Sequence, residues 1–295
     1  MSLPDRPRRI AGRAHDLGDG ITVHRLLPTL ETRRVGPFVF FDHLAPASFV
    51  PGRGMDVRPH PHIGLSTLTW LFEGAIRHRD SLGSVADIRP GEVNWMTAGR
   101  GIAHSERTPP AERAAGQRLH GLQFWLALPQ AQAECAPAFE HRGADELPRL
   151  AFAGVSLVLA VGSGWAARSP VRCFAPTFLA EARLAPGAAL AWPAEYVERG
   201  LFVVEGAVDW DGLALESGGF AVAGGGAADI VARTAARVVL FGGAPLDGER
   251  QLWWNFVAAT PQRIEQAKAD WLAGRFGRVP GDETEFIPLP AAPGS

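Results

Sequence analysis

The chain has 295 residues, 46% of them hydrophobic and 20% charged, with a formal net charge of −2. That balance fills the core of one large or two average domains and excludes both a disordered chain and a strongly basic nucleic-acid binder. Two cysteines, Cys135 and Cys173, are too few to staple a chain of this length and point to a reducing compartment. No apolar run of about eighteen residues offers a membrane span. The basic N-terminus MSLPDRPRRIAGR lacks the apolar run of a signal peptide. The expectation is a soluble, cytoplasmic protein that contacts neither membrane nor nucleic acid.

In chain order, short apolar or alternating runs lie between evenly spread glycines (34) and prolines (24). They are ITVHRLL (21–27), STLTWLF (66–72), AIRHRD (75–80), VNWM (93–96) and LHGLQFWLAL (119–128). The stretch PQAQAECAPAFEHRGADELP (129–148) has no periodicity and reads as a linker. Beyond it come VSLVLAV (155–161), LFVVEGAVDW (201–210) and ARVVLFG (236–242). Short strands at this spacing with Gly/Pro turns predict antiparallel sandwiches or barrels. One helix is predicted over about 261–274, capped by Thr260, with Pro261 in its first position and Ile264, Ala267, Trp271 and Leu272 on one face. Gly274 or Gly277 ends it.

An internal repeat divides the chain. WLFEGAI (70–76) matches FVVEGAV (202–208) at an offset of 132, and RPGEVNWMTAG (89–99) matches ESGGFAVAGGG (216–226) at 127. Two copies of one β unit give a double barrel, divided here as 1–135 and 136–295.

RPHPHIGLST (58–67) places His60 and His62 at i and i+2, on one face of a strand, with Pro61 favouring an edge or bulged position. AGRGIAHSE (98–106) places His104 and Glu106 in the same relation after a glycine turn. Three imidazoles and a carboxylate suit a divalent ion such as Fe, Ni, Mn, Cu or Zn. The repeat supplies a control. Shifted by 132, His60-Pro61-His62 becomes Trp192-Pro193-Ala194; shifted by 127, His104 and Glu106 become Val231 and Arg233. All nine histidines lie at or before His141, so a single site in the N-terminal unit is expected.

The string HPHIGLSTLTWLFEGAIRHRDSLGS…IRPGEVNWMTAGRGIAHSE closely resembles the pirin family, a branch of the cupin superfamily. VGPFVFFDHL (35–44) and LWWNFVAATPQRIEQAKADWLAGRFG (252–277) extend the resemblance over nearly the whole chain. It implies an all-β fold of two cupin (jelly-roll) barrels face to face with a short C-terminal helix. It implies one metal, iron in most members, on His60, His62, His104 and Glu106. The activity it implies is that of a quercetin 2,3-dioxygenase, acting on a flavonol and dioxygen with Glu106 as general base. A second expectation from the same family is a redox-sensitive iron protein that regulates through protein partners; a third is a zinc or manganese isomerase or hydrolase. Where many pirins read HPHRGFET, this chain has Ile63, Leu65 and Ser66, which marks IGLST as the place where its own substrate or partner is decided.

Other residues carry weaker expectations. His43 and His78 are candidates to orient the ligands. Trp253, Trp254 and Phe256 read as packing core, and Cys173 as a buried small hydrophobe. A monomer is expected.

Overall fold

The computed structural model describes residues 3–16, 22–226 and 228–291; Ile21, the first residue of the run at 21–27, lies outside them. The Glu-Gly dipeptide of the repeat is a backbone requirement. Strands Leu65–Glu73 and Ile76–Asp80 turn at Gly74 with φ +81°, and Glu198–Glu205 and Ala207–Trp210 turn at Gly206 with φ +77°. Any Cβ there would also stand 2.5 Å from Arg118 O or 2.1 Å from Ala235 O, so only glycine passes the chain from one sheet to the next here without strain.

The two copies build the same four-stranded sheet. One runs Asp56–His62, Ile102–Arg107, Ile76–Asp80, Val85–Ile88, and the other Ala189–Leu190, Ile230–Ala232, Ala207–Trp210, Leu213–Glu216. A seven-stranded sheet (with Leu65–Glu73, Val93–Thr97 and Gln117–Ala127) accompanies the first, and an eight-stranded sheet (with Glu198–Glu205 and Ala236–Gly243) the second. The chain therefore holds two mostly β cupin domains and a short C-terminal helix, and the sheets are not closed rings.

Chain contacts gather into two units whose membership exchanges the termini. One comprises Met1–Arg13, His24–Asp42 and Arg142–Leu246; the other comprises Ala14–Val23, His43–His141 and Asp247–Ser295. In the first, Arg8–Ile10 adds a strand along Phe220–Val222, and Phe41 meets Phe202, Phe220 and Phe241 edge to face at 5.3–5.5 Å. Trp192 sits in its core beside Trp210, ring centroids 4.8 Å apart. Where the other copy carries histidines, this one packs indole.

In the second unit the helix Pro261–Leu272 is capped by Thr260, whose hydroxyl accepts from Arg263 N at 3.4 Å. Ile264 and Ala267 are buried with Ile63, Ala103, Phe256 and Phe276, and Trp271 packs at the margin. Leu272 does not share that face: it is 76% exposed, because the eighth residue after Ile264 rotates past the apolar stripe. The segment read as a linker is also ordered otherwise. Ala138–Arg142 is a strand beside Val93–Thr97, alternating Phe139 and His141 toward the domain's interior. Cys135 and Cys173 form no disulfide, and Cys173 is half-buried rather than core. Among the described residues, no helix is long and apolar enough to cross a membrane.

Candidate metal centre

His60 and His104 lie opposite each other on the antiparallel pair Asp56–His62 and Ile102–Arg107, with His62 opposite Ile102. Alternation sends all three imidazoles to one face. Their ring centroids are 4.4–5.0 Å apart, and one nitrogen from each falls within 4.8 Å of the others. All three are buried.

The hydrogen bonds decide which nitrogens converge. His60 Nδ1 donates to Arg58 O at 2.9 Å and His62 Nδ1 to Asn255 O at 3.1 Å. His104 Nδ1 lies 3.3 Å from His78 Nδ1, while His104 Nε2 is buried with no hydrogen-bond partner. A buried imidazole nitrogen without a partner costs about 1–3 kcal/mol, and a cation on the Nε2 atoms removes that cost. Neutral imidazoles anchored through Nδ1 are the donor set a borderline divalent ion takes. The residues present thus fit the metal their pattern implies.

Glu106 stands apart from this group. The pairing slips between His104 and Glu106, which lies opposite Val57 rather than Arg58, and its carboxyl is not in the 4.8 Å cluster. Its Oε1 is 3.3 Å from Thr69 Oγ1, which in turn is 2.9 Å from Gln123 Oε1. A single hydroxyl proton serves only one of these acceptors well. The shorter contact is to Gln123, which leaves Glu106 the weaker share of the Thr69 hydroxyl. Burial accordingly pushes the Glu106 carboxyl up to about 7, against the opposing hydrogen bond from Thr69.

Of the two residues expected to orient ligands, His78 touches His104, stacks on Phe139 at 4.1 Å, and places Nε2 3.0 Å from Asp80 Oδ2. Asp80 is wholly buried; that burial raises its carboxyl, but the bonds from His78 and Ser84 outweigh it and hold it low. His43 instead meets His120, Nε2 to Nε2 at 3.0 Å.

The C-terminal stretch of this unit secures the ligand strands, which no spacing rule in the sequence reveals. Phe256 bridges to Ile63, Val257 N donates to Ile63 O at 3.2 Å, and Asn255 O holds His62. Further on, Ile287 N donates to Pro59 O at 2.8 Å, and Arg107 binds Asp282 and Glu285 at 2.6–2.8 Å. Ile63, Leu65 and Ser66 are all fully buried: Ile63 in the cluster under the helix, Ser66 against Thr97 Oγ1 at 3.3 Å. IGLST is therefore interior, in the same buried setting as the three histidines.

These burials make the metal-free protein acid-labile. Desolvation lowers His60 to about 4 from 6.5, and it holds His62 and His104 well below 6.5 as well. Each contributes stability above pH 6.5 that is lost as the pH falls toward its folded value, about 3 kcal/mol for His60 alone. Glu106 opposes: its raised value gives stability at low pH that is lost as the pH rises from 4.5 to about 7. Three groups outweigh one, so urea unfolding of metal-free protein should show a net loss of several kcal/mol between pH 7 and 4.5. Equal stability at the two pH values would contradict the buried neutral triad.

Comparison with known proteins identifies the family. The pirin profile matches residues 20–126, and the profile of the pirin C-terminal cupin domain matches residues 179–277. A pirin-like protein of Caulobacter vibrioides is 49% identical over 282 residues, 94% of this chain and 97% of the relative. A Pseudomonas aeruginosa protein provisionally named as a quercetin 2,3-dioxygenase is 40% identical over 291 residues, 97% of this chain and 90% of the relative. The crystal structure of a protein titled quercetin 2,3-dioxygenase from Acinetobacter baumannii superposes with a TM-score of 0.89 at 34% identity, over 98% of this chain and 96% of that one. With both cupin units matched and the histidines of one of them converging, the chain belongs to the pirin family.

Proposed function

We propose that this protein is a metal-dependent oxygenase of the quercetin 2,3-dioxygenase type, acting on a flavonol or a similar aromatic enol. The observation that carries the proposal is the convergence of three buried imidazoles, each held through Nδ1 and His104 with a buried, unpartnered Nε2, in one domain with a carboxyl poised near neutrality. The names of the Pseudomonas and Acinetobacter relatives support the substrate class. His60, His62 and His104 hold one divalent ion, iron first among the candidates, with nickel, manganese, copper or zinc as the alternatives to be loaded. Such an ion supplies Lewis acidity toward an enol oxygen and, for a redox metal, an electron path to dioxygen.

The protein's own part is positioning and proton transfer. Glu106 accepts the proton of the substrate hydroxyl, and Thr69 with Gln123 aims the carboxyl. A carboxyl near 7 is well matched to that task at neutral pH. Trp125, whose ring lies 5.0 Å from that of His62, gives the interior an apolar wall.

Oxygen uptake and carbon monoxide release from quercetin, with protein loaded in turn with iron, nickel, copper and manganese, test the proposal. Turnover with at least one metal is expected. Glu106→Gln should lower kcat by about 10²–10⁴-fold while the metal stays bound. Absence of both signals with every metal would refute the substrate assignment.

A further inference from the structure

We infer that Asp80 and His78 form a two-residue relay that fixes the tautomer of His104 and makes it the most electron-rich of the three ligands. This rests on the metal placement proposed above, and not on the choice of substrate. The three histidines are anchored differently. His60 and His62 donate to neutral backbone carbonyls, of Arg58 and Asn255. His104 alone is backed by a side chain, and that side chain is backed by a buried carboxylate.

The proton positions follow from Asp80 inward. Asp80 Oδ1 accepts two backbone N–H groups, from Leu82 at 2.9 Å and Ser84 at 3.0 Å. Oδ2 is left for His78, whose Nε2 must therefore carry a proton and donate. The relay takes His78 as singly protonated, at Nε2, which leaves its Nδ1 as an acceptor. Facing it at 3.3 Å, His104 Nδ1 must be the donor. The lone pair of His104 is thereby placed on Nε2, the atom buried without a partner beside His60 and His62. The negative charge of Asp80 reaches the metal ligand through two hydrogen bonds, which raises the basicity of that nitrogen. Phe139, stacked on His78 with 7° between the rings, holds the middle member in plane.

Asp80→Asn reverses the logic without removing an atom from the packing. The two backbone donors keep the amide oxygen at the Oδ1 position, so the amide NH₂ faces His78 Nε2. His78 must then accept there and donate from Nδ1, which forces His104 to accept at Nδ1 and carry its proton on Nε2. The nitrogen that should bind metal is blocked.

The test is the ¹⁵N NMR tautomer pattern of the full-length metal-free protein, together with Zn(II) affinity by chelator competition. In the wild type His104 should be the Nδ1–H form; in Asp80→Asn it should be the Nε2–H form, and zinc binding should weaken about 10–100-fold. His78→Phe keeps the stack on Phe139 and removes both the acceptor facing His104 and the donor to Asp80, cutting the relay at its middle member. It should weaken zinc binding about 10-fold even if Asp80→Asn fails to fold. An Nε2–H His104 in the wild type, or wild-type zinc affinity in His78→Phe, would overturn the relay while leaving the triad intact. A wild-type protein that binds no zinc would overturn both.

Discussion

His104→Ala is expected to reduce metal affinity by at least about 100-fold, since losing a ligand exceeds the 10–100-fold cost of losing a ligand's hydrogen-bond partner. Activity on any metal-requiring substrate should fall to background with it. The fold should survive, because the substitution deletes a buried nitrogen that lacks a partner in the metal-free chain. Calorimetric zinc titration and thermal unfolding of the metal-free protein separate the two effects. A variant that still binds one zinc tightly would show that the ion is held elsewhere.

Phe256→Ala should be among the costly substitutions for stability outside the ligand set. Phe256 is fully buried, lies parallel to Phe276 with 6.0 Å between centroids, and packs with Ile63, Ala103 and Ile264. Truncating such a ring costs about 3–5 kcal/mol, a fall of roughly 6–20 °C in Tm for a domain of this size. A second effect follows from its neighbour. Asn255 lies in the turn of the hairpin Gln251–Trp253 and Phe256–Ala258; its carbonyl fixes His62 Nδ1 and Phe256 bridges to Ile63, so loosening this hairpin frees the His62 ring. Zinc affinity measured below the unfolding transition should drop about 10-fold. Unchanged affinity in a destabilised but folded variant would show that the hairpin only packs and does not position.

What was legible in the sequence was whatever the backbone period and the repeat control. The i, i+2 spacing of His60 and His62, the Glu-Gly turns at Gly74 and Gly206, and the loss of ligands at Trp192 and Val231 all follow from local rules. Where a side chain's position depends on a distant partner, local rules fail. Glu106 shares the strand face of His104, yet a register slip and Thr69 draw its carboxyl out of the imidazole cluster. The support of His62 by Asn255 spans 193 residues, and that of Pro59 by Ile287 crosses a similar distance. Phe139 and His141 were hidden in a tract without periodicity, because a short strand gives too few alternations to register. The burial of IGLST was not legible either, since a sequence does not say which face of an edge strand another segment covers. Here the helix Pro261–Leu272 and the hairpin before it cover Ile63.

The central claim is one metal ion, in the unit that carries the histidines. Anomalous diffraction at the edge of the bound metal, from crystals of the loaded protein, tests it most directly. One peak per chain is expected, about 2.0–2.1 Å from Nε2 of each of His60, His62 and His104, and none in the unit containing Trp192. A peak away from these three nitrogens, or a second site of equal occupancy, would contradict it.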